Sequence, residues 1–218
     1  MADVQQTSLN SRPGAGRPTR EYAELRREEL LDRALELFLD KGFELATIEA
    51  IAASVGMTKR TVYARYEDKS ALFRATVERA IERWIVPVDV LRAAESDDLE
   101  ASLTAIARIR LANAISPVGL RLQRIINAES YRFPEIGTLA YEQGSRPTID
   151  FLADLLRRHA ELGAIGIEEA HVLATTFLSM TIGGLTRGAF LGTSIDESML
   201  EERVRFSVRL FLNGVRPR

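Results

Sequence analysis

Residues 47–69, TIEAIAASVGMTKRTVYARYEDK, constrain the fold more tightly than any other stretch of the chain. Thr47 is a hydroxyl cap ahead of an apolar repeat, and Ile48, Ile51, Ala52 and Val55 share one helical face. Gly56 then lets the chain turn at low steric cost. Thr58 caps again, and a short helix carries Lys59, Arg60, Thr61, Tyr63 and Arg65. Val62 and Tyr66 lie four apart and face inward, which leaves the basic and hydroxyl groups outside. The pattern predicts a helix, a tight turn and a second helix suited to the major groove of DNA, with donors for base edges near its N-terminus. An ordinary three-helix packing unit with a solvated basic face carries the same pattern.

The flanking sequence extends this unit. Residues 1–20 are polar and rich in Gly and Pro, and are expected to be a disordered basic arm. A helix is predicted over about residues 22–41, with Leu30, Leu31, Ala34, Leu35 and Phe38 as its inner stripe. Gly42 is expected to stop it in the αL conformation, and Phe43 to pack into the same small core. A fourth helix opens at Asp68 or Lys69 and runs to about residue 86, before Pro87, with Leu72, Phe73, Val77, Ile81 and Trp84 at helical spacing. It is long enough to leave the first unit and enter the next, which makes it the natural lever between them. Beyond Pro87 helices are predicted over about 98–115, 117–130, 134–143, 145–162, 168–191 and 196–213, with Pro117, Pro134 and Pro147 in first turns. No strand-like alternation occurs. The expected fold is all-α: a three-helix helix-turn-helix domain over 21–68 joined by the long fourth helix to a helical ligand-binding and dimerisation domain over 69–218.

The run RREELLDRALELFLDKGFELATIEAIAASVGMTKRTVYARYEDKSALFRATV resembles the DNA-binding domain of the TetR family of transcriptional repressors. The resemblance rests on G-F after the first helix, A-T-x-x-x-I-A before the turn, V-G-M-T-K-R-T-V-Y across it, and Y-E-D-K-S-A-L-F opening the fourth helix. Further on, RLQRIINAESYRFPEIGTL is similar to the AefR-like C-terminal domains of one TetR subgroup. The resemblance implies that Thr47, Tyr63 and Lys69 touch the DNA backbone; the family position matching Arg65 varies. By residue type, Lys59 and Arg60 suit guanine O6 and N7. Thr47, Thr58, Thr61, Tyr63, Arg65 and Lys69 suit phosphates. G-R-P-T-R resembles the basic arm that precedes many such domains, and Arg17 and Arg20 either reach a narrow A·T minor groove or belong to a solvated tail.

Composition narrows the remaining classes. Cys is absent from the 218 residues and His occurs twice, so disulfides, thiol nucleophiles and a histidine metal cluster have no ligands to draw on. His159 and His171 read as surface or interface residues, and Glu129 as a structural partner for Arg132 or Arg124, or else as a group facing the cavity. No catalytic set, phosphate-cradling loop, cofactor motif or metal site is visible, and the chain is expected not to be an enzyme. A net charge of −2 argues against a general nucleic-acid coat and for contact through one local basic face. No secretory signal is visible, and the uncharged residues 172–185 are too short for a membrane span, so a cytoplasmic protein is expected.

The last two helices are rich in apolar residues, including Leu200, Val204, Phe206, Val208, Leu210 and Phe211, and the first of them carries Gly183, Gly184 and Gly188. They suggest a four-helix seam with a second copy; a core within one chain is the alternative. The expected partners are double-stranded DNA with a near-palindromic operator, a small lipophilic or aromatic effector, and a homodimer mate. Trp84, Asn113, Gln123, Asn127, Tyr131, Phe151, Phe177 and Met180 are candidate effector contacts, because they place isolated polar groups among apolar helices. A ligand-independent DNA-binding protein, an activator, or an enzyme hidden in the helical domain are the other readings.

Overall fold

The computed structural model describes residues 20–166 and 169–215, and within these every regular element is a helix. The first three are α1 (Arg20–Leu45), α2 (Ile48–Ser54) and α3 (Lys59–Tyr63). Then come α4 (Lys69–Trp84), α5 (Val88–Arg92), α6 (Leu99–Ile115) and α7 (Pro117–Glu129). The chain ends with α8 (Pro134–Leu139), α9 (Arg146–Glu161), α10 (Ala170–Phe190) and α11 (Glu197–Val215). Arg17 and the rest of the arm to residue 19 lie outside the described residues.

Side-chain caps fix the starts of α2, α3 and α4. The Thr47 hydroxyl accepts from the Ala50 N–H at 3.2 Å, the Thr58 hydroxyl from Thr61 at 3.1 Å, and the Asp68 carboxylate from Ala71 at 2.7 Å. Each satisfies a donor that the first helical turn leaves open. Gly56 takes φ 62° between α2 and α3, a conformation open to glycine. Gly42 also has positive φ, as expected, but its ψ of 170° is extended rather than αL. Only glycine reaches that region readily. The chain therefore kinks instead of ending, runs helical to Leu45, and turns Phe43 into the core, where it is 2% exposed.

Two hydrophobic clusters organise the chain. The first joins α1–α4 to residues from α7 and α8: Leu122, Ile125, Ile126, Phe133 and Ile136. Its centre is aromatic. Phe133 lies 5.0 Å from the Phe43 ring and 4.9 Å from Phe73, and Phe38 meets Phe73 edge-on at 5.0 Å. Ion pairs follow the same seam outside: Arg121 to Asp40 at 2.6 Å, and Arg132 to Glu44. Being exposed, they add orientation more than stability. The second cluster joins α6, α9, α10 and α11, with Phe177 against Phe211 at 5.1 Å.

Four local features differ from expectation. Val88–Arg92 forms a short helix that plugs the second cluster with fully buried Leu91; five residues are too few to show a period. The expected break near residue 144 is a π-helical segment, Ala140–Ser145, that carries α8 into α9 without a gap. Pro147 cannot donate to a carbonyl four residues back, and a widened turn is one way a helix absorbs that loss. His159 is buried at 8% exposure on the inner face of α9 rather than at the surface, while His171 is exposed and pairs with Asp150 at 3.2 Å. Glu129 makes no ion pair among the described residues; its carbonyl accepts from the Arg132 and Phe133 N–H groups.

Phe133→Ala should cost about 3–5 kcal/mol, the range for emptying a buried aromatic site. Urea unfolding of the full chain measures it, and a loss under about 1 kcal/mol would show that this ring does not close the first cluster.

Candidate nucleic-acid interface

The α3 helix buries one edge and offers the other. Val62 is 0% and Tyr66 9% exposed, while Thr58, Lys59, Arg60, Thr61, Tyr63 and Arg65 all face solvent. A five-residue helix has little stability of its own. It persists because Thr58 caps it, Val62 anchors it, and the Met57 N–H donates back to the Ala52 carbonyl of α2 at 2.8 Å.

The cations on this face are not equivalent. The Arg60 guanidinium has no hydrogen bond or ion pair among the described residues, so its donors are open to a base edge or phosphate. Lys59 is clasped by the Glu49 carboxylate of α2 and lies 5.6 Å from the centre of the Tyr63 ring. That hydrogen bond is the main reason the Lys59 ammonium is held above its ordinary pKa and the Glu49 carboxyl below its own. Arg65 donates to the Ala23 carbonyl of α1 at 3.3 Å. Lys69 donates to the Glu44 and Ala46 carbonyls at 3.0 Å each and sits 4.5 Å above the Phe43 ring, so it ties α4 to the end of α1. The Thr47 and Thr58 hydroxyls act as caps yet stay exposed, and Arg20 is exposed at the first residue of α1.

Two residues were missing from the sequence-based set. Glu49 sits ten residues before Lys59, and only the turn at Gly56 brings the two together. Arg26 of α1 donates to the Val55 carbonyl, which braces the turn from behind. A carboxylate on the solvent face of α2, two turns before a glycine hinge, is the signal that points to the first. Nothing local points to the second.

The eight candidate effector contacts do not converge. Trp84 and Asn113 meet: the indole N–H donates to the Asn113 carbonyl at 3.3 Å, and both line a cleft of about 380 Å³ between α1, α4 and the α6–α7 corner. Gln123 donates to the Ala114 carbonyl at 3.4 Å just beyond that corner. Phe151 and Phe177 are buried in the second cluster, and Met180 packs half-buried against it. Asn127 and Tyr131 face solvent.

A compact helix-turn-helix with an outward cationic helix, carried on a longer helical body, defines a DNA-binding regulator of transcription. Residues 30–76 match the family model of bacterial regulatory proteins of the tetR family, and residues 101–214 match the C-terminal domain of AefR-like transcriptional repressors. The chain belongs to the TetR family of transcriptional regulators. It is 26% identical over 179 residues to the HTH-type transcriptional repressor ComR of Escherichia coli K12, covering 79% of this chain and 83% of that one. Among solved structures, a TetR-family regulator from Mesorhizobium loti MAFF303099 aligns with TM-score 0.76 and 25% identity over 91% of this chain and 100% of that one. The flavonoid-responsive regulator FrrA aligns with TM-score 0.71 and 30% identity over 89% of this chain and 99% of that one.

Arg60→Ala should cost about 1–3 kcal/mol on the cognate duplex and relax its sequence preference, whereas Arg65→Ala should weaken all duplexes alike and lower the salt slope by about one. Fluorescence anisotropy on cognate and scrambled duplexes across a salt series separates the two. Equal losses on both duplexes for Arg60→Ala would remove it from base reading.

Proposed function

We propose that the protein is a homodimeric cytoplasmic repressor that binds a near-palindromic operator and leaves it when a small lipophilic or aromatic molecule binds. The observation that carries this reading is the uncovered side of the α10–α11 pair. Phe206 is 47% and Leu210 50% exposed on α11, and Gly183 and Gly184 are exposed on α10, which packs against α11. Apolar side chains beside glycines let a second copy approach closely, and two such pairs related by a two-fold axis make a four-helix seam. The same axis then presents two copies of α3 to one face of the duplex. Successive major grooves lie about 34–36 Å apart, so a two-fold protein reads an inverted repeat. Among the described residues no helix is long and apolar enough to cross a membrane.

The match to an AefR-like repressor domain and the likeness to ComR support the repressing sense. FrrA responds to flavonoids, which supports an aromatic effector class here. Release is energetic: the effector binds the state with wrongly spaced reading helices more tightly, by typically ~1–3 kcal/mol of coupling. α4 transmits that displacement, since it starts against α1 at Lys69 and ends at Trp84 against α6.

Selection of bound duplexes from a random pool should return inverted repeats; single sites or direct repeats would overturn the two-fold reading. Phe206→Glu should halve the mass seen in sedimentation and weaken operator binding by about 100-fold or more, because one reading helix loses the effective concentration supplied by its mate.

A further inference from the structure

The cleft between α1, α4 and the α6–α7 corner has an electrostatic character that the matches to relatives do not assign. Among the described residues, every buried side-chain nitrogen without a hydrogen bond belongs to Arg79, Arg110 or Asn113. Arg79 Nε and Nη2 and Asn113 Nδ2 are donors, and both residues line the cleft. Arg110, 7% exposed, stands one helical turn before Asn113 on α6, and its Nε is also unpartnered. Burial pushes the Arg110 guanidinium below its ordinary pKa, with no charged neighbour to offset it. The carboxylates near Arg79 do not meet its need. Glu28 is 3.4 Å and Asp32 3.6 Å away, beyond good hydrogen-bonding distance, and Asp32 is already taken by Arg83 at 2.7 Å. Arg79 and Arg83 face Glu28 and Asp32, which balances charge at the rim but leaves the inner nitrogens of Arg79 and the Asn113 amide without acceptors. Buried donors without acceptors are costly, and an anionic group removes that cost best, because hydrogen bonds from a guanidinium to a carboxylate are the strong ones. The remaining walls are apolar: Leu31 and Leu35 of α1, Ala80 and the Trp84 ring of α4, and Val118 of α7.

We infer that this cleft binds a small organic monoacid. Its carboxylate accepts from Arg79 and Asn113. Its aromatic or aliphatic body lies against Trp84, Leu35 and Val118. The cleft has a wall from the unit that carries α3 and a wall from the helical body, so an occupant sets the distance between them. The corner itself is rigid. A Cβ added at Gly119 would stand 2.5 Å from the Asn113 carbonyl and 2.7 Å from the Trp84 indole nitrogen. The regulatory consequence rests on the ligand-responsive reading above; the binding does not.

Trp84 is the only tryptophan of the chain, so the emission of the full-length protein reports this cleft directly. Benzoate, cyclohexanecarboxylate and decanoate, each beside its primary amide, are titrated to ~10 mM with excitation at the red edge of the indole band. At least one acid should shift the emission saturably and bind at least about tenfold more tightly than its amide. Arg79→Gln and Asn113→Leu should each weaken that acid by about tenfold or more, and Arg79→Lys by less, since charge remains but the planar fork is lost. Circular dichroism confirms that each variant is folded before it is read. Equal binding of acids and amides, or no shift with any acid, overturns the proposal. Acids that bind through Arg79 yet leave the protein–DNA complex intact uphold the site and separate it from operator release. A compound that releases DNA with Trp84 emission and Arg79 dependence both unchanged overturns the cleft as effector site and leaves ligand-responsive repression standing.

Discussion

The structure depends on four phenylalanines packed largely edge to face. Phe38, Phe43 and Phe73 belong to the N-terminal unit, but they are closed off by Phe133, which arrives from between α7 and α8. A three-helix unit of about fifty residues is marginal alone, because too little of its surface can be buried. Here the missing wall is supplied by the body it is mounted on. The unit that reads DNA and the body that carries the proposed effector cleft therefore share one core, and a displacement of α7 and α8 is felt where α1 and α4 meet. Arg132 and Arg121 anchor the same seam to Glu44 and Asp40 from outside.

That shared core gives the lever a physical meaning. α4 is pinned at its start, where Asp68 caps it and Lys69 grips the carbonyl end of α1. It is pinned again at its end, where Trp84 donates to the Asn113 carbonyl beside Gly119. Between these points its apolar face packs on α1 and α7, while Arg79 and Arg83 pair with Glu28 and Asp32 of α1 along its outer edge. A helix held at both ends by directional bonds, and in its middle by apolar packing, shifts as a rod rather than bending. Packed cores have discrete rather than continuous alternatives, so small changes at the corner become whole-helix displacements.

The elements that were legible in the sequence are those set by local chemistry. Thr47, Thr58 and Asp68 cap helices because a hydroxyl or carboxylate before an apolar repeat has little else to do. The inward Val62 and Tyr66 and the outward Arg60 follow from spacing alone. What escaped was decided by tertiary geometry. Lys69 reads as a surface cation, but in space it faces the carbonyl groups that α1 leaves open. Phe133 reads as part of a helical body, but it completes a core that begins about a hundred residues earlier, at Leu30. Pro147 reads as the start of a new helix, yet the wide turn before it lets one rod continue. Gly42 reads as a helix stop, and the chain kinks there; that the kink turns Phe43 inward depends on ψ, which no residue type announces. The effector contacts were the least legible, because an apolar helix presents the same pattern whether its neighbour is a side chain or an open cleft.

The clasp between Glu49 and Lys59 bears on how such a molecule explores a chromosome. A phosphate anywhere along the duplex offers Lys59 roughly what Glu49 already offers, a nearby negative oxygen, so random encounters gain little from this cation. A guanine edge offers two acceptors in fixed geometry and holds Arg60 as well. With Lys59 and Arg60 as the proposed readers, the internal carboxylate would work as a threshold, trimming the attraction of irrelevant sequence and leaving most of it for the site where both side chains engage together.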